Sequence, residues 1–223
     1  MNKTQVNEGA VLALDPAEKG QAISQNAARL AVASGAAVLV LLAALHFLSP
    51  EFDPSWRMVS EYAVGSYGWV LSLMFLAWAA GYVSLFFAIR SQVKTLGGKI
   101  GLFFLLTAAL GEGMAAFFDF THSLHGLAFL IGIPSIPIAA LLVSISLGRN
   151  PIWAEARRSL LWLANLTWIS LALMVALMFI GLSQTGGNLG PGVWIGWPNR
   201  LVFVASCTWL MFTAGQALRL RDR

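Results

Sequence analysis

Residues 69–89 read WVLSLMFLAWAAGYVSLFFAI, twenty-one residues without a charged side chain. An α-helix rises about 1.5 Å per residue, so this run covers roughly 30 Å, the thickness of a bilayer's hydrocarbon core. Its apolar residues are continuous rather than alternating at a period of two, as barrel strands do, and a backbone in lipid must satisfy its own amides. The stretch predicts a membrane-spanning helix.

Five further runs of the same kind lie on either side of it, at 30–48, 100–120, 126–147, 160–182 and 201–218, separated by short polar breaks. With 58% apolar and 11% charged residues in a chain of 223, too little polar surface remains to solvate a globule. The fold class predicted is all-α, a polytopic bundle of six transmembrane helices in one domain over residues 29–219. Residues 1–28 are polar and expected to form a flexible cytoplasmic tail, and 220–223 a short basic one. The first apolar run is of full spanning length, and no signal-like apolar core precedes it, so it is expected to stay as a helix. Cys207, the single cysteine, falls inside the sixth run and is expected to be a small packing residue.

Basic residues orient the chain, because Lys and Arg resist translocation. Twelve of the fourteen lie in the N-terminal tail, the second and fourth connections and the C-terminus; Arg57 and Arg200 lie on the other side. Both termini are therefore expected in the cytoplasm, the chain crossing the cell's inner (plasma) membrane as a multi-pass protein. The net charge of +4 needs no nucleic-acid partner, since anionic lipid headgroups meet the basic residues where they stand. Membrane lipids are the partners expected, and a second copy or another membrane protein stays open as a neighbour.

The remaining polar chemistry is one-sided. Glu51, Asp53, Glu61, Glu112, Asp119 and the three histidines, His46, His122 and His125, all fall in the outer half of the membrane or the outer connections, beside Arg57 and Arg200. Glu112 stands inside the third run, where inserting a charge costs about 2.5–3.5 kcal/mol at the helix centre, so something must compensate it. Asp119 follows seven residues later, two helical turns, which would put both carboxyls on one face of that helix and point them into the bundle. Gly111 and Gly113 would admit a close neighbour there.

Asp119-Phe-Thr-His122-Ser-Leu-His125-Gly126 joins the third and fourth runs with carboxylate and imidazoles three residues apart. That spacing could hold one zinc or similar divalent ion through Asp119, His122 and His125, with His46 as a further ligand and water completing the shell. The alternative is ordinary hydrogen bonding of interfacial histidines to backbone. In the first outer connection, Ser60 is a helix-capping candidate, and Trp, Tyr and Arg sit at interface height. Ser60, Glu61 and Tyr62 share the level of the His/Asp cluster, where Ser60 or Glu61 could act on a bound headgroup. Pro134 and Pro137 remove backbone donors in the fourth helix and are expected to kink it. The Gly-rich connection at 185–192 could serve as a cover.

Arg57-Met-Val-Ser60-Glu61-Tyr62-Ala-Val-Gly-Ser-Tyr-Gly68-Trp69, the Asp119 to Gly126 junction, the proline-bearing fourth helix and Gly196-Trp-Pro-Asn-Arg200-Leu together resemble the bacterial and archaeal DUF998 family of six-helix membrane proteins. The resemblance covers about residues 30–218. It departs from the family at Asn199, where Gln or Glu is expected before the arginine, although Asn can still hydrogen-bond it. What it implies is the six-helix fold, an inner-membrane location and the functional positions Ser60, Glu61, Asp119, His122, His125 and Arg200; it implies no reaction.

Three functions stay open. The first is binding of a lipid or other small amphiphile in a polar, outward-facing intramembrane site built from Arg57, Tyr62, Glu112, Asn199 and Arg200. The second is a metal-dependent hydrolase acting on a lipid headgroup, loosely resembling membrane ceramidases, in which Asp119, His122 and His125 hold a metal-bound water, Glu61 is the base and Arg57 or Arg200 binds an anionic headgroup. The third is a small transporter with Glu112 as its proton site.

Overall fold

The computed structural model describes residues 16–188 and 190–220. Six helices are long and apolar enough to cross a membrane, and no strand occurs among the described residues. They are α1 (Pro16–Leu48), α2 (Gly68–Ile89), α3 (Leu96–Phe117), α4 (His125–Gly148), α5 (Arg157–Gln184) and α6 (Gly196–Arg219). Short 3-10 helices, Val59–Val64 and Pro151–Ala156, lie in the first and fourth connections. The protein is a multi-pass, all-helical membrane protein. Residues 1–15 of the expected tail, and Arg221 and Arg223, lie outside the described residues, but α1 is already helical at Pro16, ahead of its apolar run.

Each helix packs on the next in sequence, and α6 closes the ring against α1. α2 also touches α6 across the ring, so α1 lies outside a space bounded by α2 to α6. Phe47, Phe103, Leu130, Trp162 and Phe179 point away from the bundle, each more than half exposed, as side chains facing lipid do. Inside, Trp78 stacks on Phe203 at 4.4 Å, and Trp209 Nε1 donates to Ser144 Oγ at 3.0 Å, tying α6 to α4.

Local chemistry sets the helix ends. The Thr95 hydroxyl accepts from the Gly98 amide at 3.0 Å and caps α3. α5 stops at Gly186, whose φ of 66° is the left-handed conformation that glycine adopts without cost; the Gly187 amide then bonds back to the Leu182 carbonyl at 2.8 Å, closing a Schellman motif. α4 runs unbroken through Pro134 and Pro137, neither of which has an N–H to offer the preceding turn.

Lipid tails are as apolar as leucine, so helices in a membrane associate through close packing rather than through exclusion of water. α3 and α4 meet at Gly111 and Gly132, where a side chain on Gly111 would run into the Gly132 backbone. Gly111→Ala is therefore expected to separate the two helices and cost about 1–2 kcal/mol, read as a lower thermal unfolding temperature in detergent. Gly113→Ala, where an added methyl meets nothing within 4 Å, should leave it unchanged. Of the two glycines flanking Glu112, only Gly111 admits a neighbour.

Candidate functional site

The connection between α1 and α2 folds back over the end of the bundle instead of standing away from it. Its anchor is the first turn of α6. Arg200 is 4% exposed, and its guanidinium donates to four acceptors: Nε to His46 Nε2 at 2.7 Å, Nη1 to the carbonyls of Arg57 at 2.8 Å and Gly196 at 3.0 Å, and Nη2 to Tyr62 Oη at 3.0 Å. Asn199 does not hydrogen-bond Arg200. Its Oδ1 accepts from the Val59 amide at 2.8 Å, and its amide nitrogen points to Met174 Sδ at 3.3 Å. The Gly196 amide donates to the Ser55 carbonyl at 3.0 Å.

Held this way, the connection roofs a cavity of about 440 Å³ between α2, α3, α4, α5 and α6. Its walls are apolar, chiefly Phe75, Phe129, Ile133, Met178 and Phe203. The roof contributes Trp56, Arg57, Met58, Ser60 and Glu61. Glu61 Oε1 accepts from the Met58 amide at 2.8 Å, Oε2 forms an ion pair with Arg57 Nη1, and the Arg57 guanidinium lies 4.1 Å above the Trp56 ring. Arg57 Nε is buried with no hydrogen-bond partner.

Glu112 faces the same cavity from α3, five residues before that helix ends, or about 8 Å below the roof end of the helix. It is 2% exposed, its Oε1 has no hydrogen-bond partner, and it forms no ion pair among the described residues. Gly132 makes room for it, since a methyl there would stand 3.2 Å from Oε1.

Asp119 does not join Glu112 on one helical face. α3 ends at Phe117, Phe118 is extended, and Asp119 is exposed. Its Oδ1 accepts from the Thr121 amide at 2.8 Å and the Thr121 hydroxyl at 2.5 Å, a local turn that competes with continuing the helix. Those same Thr121 bonds, hydroxyl first, hold its carboxylate below the usual range, with a smaller push from His122.

The proposed metal ligands are likewise not gathered, and no group of three or more His, Cys, Asp or Glu placed to hold a metal occurs among the described residues. His46 Nδ1 lies 2.7 Å from the Leu42 carbonyl and must donate there, which leaves Nε2 as the acceptor for Arg200 and both nitrogens engaged. His122 Nδ1 accepts from the Leu124 amide at 3.1 Å on an exposed turn, and His125 Nδ1 bonds the Phe118 carbonyl at 2.8 Å. Of the four, only His125 reaches the cavity lining. The turn thus serves α3 and α4 as a connection.

The roof, this turn and the Asn199-Arg200 pair belong to one pattern: the model of a family of proteins of unknown function, DUF998, matches residues 31–215. The chain belongs to the DUF998 family. The matched span begins inside α1 and ends inside α6, so it contains the whole cavity and the residues that hold its roof. Searches of curated proteins and of solved structures find no match to the chain.

In this DUF998 chain the cavity brings together Arg57, Ser60, Glu61, Glu112, His125 and Asn199 of the residues singled out by sequence. His46, Tyr62 and Arg200 lie behind the roof as its fastening. The apolar walls carried no signal in the sequence, because phenylalanine, isoleucine and methionine in a spanning helix read the same whether they face a core, a cavity or lipid. Gly132 could have been found by pairing it with Gly111 on the neighbouring helix.

Proposed function

We propose that this protein holds a small amphiphile in the roofed cavity, from the outer side of a bacterial-type inner membrane, with both termini in the cytoplasm. The observation that carries the reading is the cavity itself: about 440 Å³ of apolar-walled space containing an unpartnered carboxyl. That volume lies in the range of small-molecule sites, and apolar walls with a few placed polar groups are their usual make-up. The sidedness rests on the positive-inside distribution in the sequence: twelve of the fourteen basic residues fall in the two end segments and the second and fourth connections, whereas the roof is the first connection.

Catalysis has less support. Both Glu61 oxygens are engaged by Met58 and Arg57, and Ser60 has no histidine as a hydrogen-bonded base among the described residues. Binding needs neither.

Filling the cavity tests the reading. Ile133→Trp places an indole in the space from α4, and a clash of about 1–3 kcal/mol should cut retention of a co-purifying amphiphile about tenfold or more. Native mass spectrometry of parent and variant from the same detergent measures it. Equal retention by a folded variant rejects the cavity as the binding site.

A further inference from the structure

We propose, resting on that reading, that the amphiphile taken up in the cavity carries a hydrogen-bond-donating, cationic headgroup of the alkyl-amine type, which Glu112 receives. Two independent features point to it. The first is the division of charge: Arg57, the cation of the roof, is paired with Glu61 through Nη1, and Arg200 lies behind the roof, where its guanidinium donates to neutral acceptors. Arg57 keeps one donor, its Nε, without a partner in the roof, while Glu112 stands below it as a carboxyl with no cation paired to it among the described residues, so the group left unanswered beneath the roof is an acceptor.

The second is the layering of the cavity. Glu112 lies five residues from the end of α3, while Phe75, Ile133 and Phe203 lie seven or eight residues from the corresponding ends of α2, α4 and α6. At about 1.5 Å per residue the apolar residues sit a few ångströms deeper than the carboxyl. A headgroup between the roof and Glu112 therefore has an apolar floor beneath it for its chain. Gly132 lets Oε1 lie close against its backbone, since an added methyl would stand 3.2 Å away, and no protein donor bonds Oε1 among the described residues. A buried acceptor with no partner costs free energy, and an ammonium donor from the ligand would relieve that cost through a charge-assisted bond.

Three photoactivatable probes of one alkyl length, ending in an amine, an alcohol or a carboxylate, test this on the full-length protein in nanodiscs. Labelling is counted only in the cavity-lining peptide covering residues 125–133. The amine is expected to label at about tenfold lower concentration than the alcohol, with the carboxylate weakest, since a hydrogen bond to a charged partner is worth at least about a factor of ten. Glu112→Gln should bring the amine down to the alcohol's level. Equal labelling by the three probes, or a carboxylate ahead of the amine, overturns the headgroup assignment while leaving the cavity as a site. An amine preference that survives in folded Glu112→Gln also overturns it. Failure of all three to label that peptide rejects the binding reading itself. The ranking in the parent protein decides the matter even where the variant does not fold.

Discussion

Arg200→Ala is expected to cost about 3–4 kcal/mol of stability and to free the roof of the cavity. The estimate follows from what the guanidinium leaves behind. Tyr62, a fully buried side chain, and the Nε2 of His46 each lose the donor they face, and an unsatisfied buried polar group costs about 1–3 kcal/mol. The carbonyls of Arg57 and Gly196 lose a donor as well. Arg200→Lys should recover only part of this, because a single ammonium cannot span His46 on α1, Tyr62 in the connection and a carbonyl on α6 at once, as the planar fork does. Thermal unfolding in detergent reads the first effect. Hydrogen exchange reads the second: amides of residues 55–62 should exchange faster in Arg200→Ala, including that of Val59, which Asn199 holds. Unchanged melting and unchanged exchange would mean that the roof is held by something other than Arg200.

The same residue shows how far sequence reasoning reaches. That Arg200 is one of only two basic residues on the less basic side of the membrane was visible in the sequence, but its partners on α1 and in the first connection lie more than a hundred residues away. The six helices were legible because each is a continuous apolar run whose length is set by the bilayer, a signal that needs no knowledge of neighbours. The α3 boundary was not: Phe117, Phe118 and Phe120 extend the apolar pattern, while the turn is made by Asp119 bonding its own Thr121. That error of about one turn was enough to place Asp119 on a face it does not share with Glu112. Histidine spacing misled in the same way, since His46, His122 and His125 each bond backbone or Arg200 and do not converge. Glu112 was legible because a carboxyl in a spanning helix has no inexpensive explanation.

Glu112→Leu is expected to stabilise the protein by about 2–3 kcal/mol. Most substitutions of buried residues destabilise, so the sign is the informative part. Glu112 is 2% exposed, its Oε1 has no hydrogen-bond partner, and no cation pairs with it among the described residues, so the fold carries its desolvation cost without an ion pair in return. Leucine is favourable in a spanning helix where a charged side chain is costly, and Glu112 is among the residues lining the cavity, into which the methyls can turn. Thermal unfolding of parent and variant in the same detergent measures the difference. A group that weakens the fold is kept by what it does, and the expected companion result is that the stabilised variant loses the amine-ended probe from the 125–133 peptide. A drop in melting temperature would show instead that Glu112 clasps α3 to its neighbours, and would remove the argument that the carboxyl is there to receive a ligand.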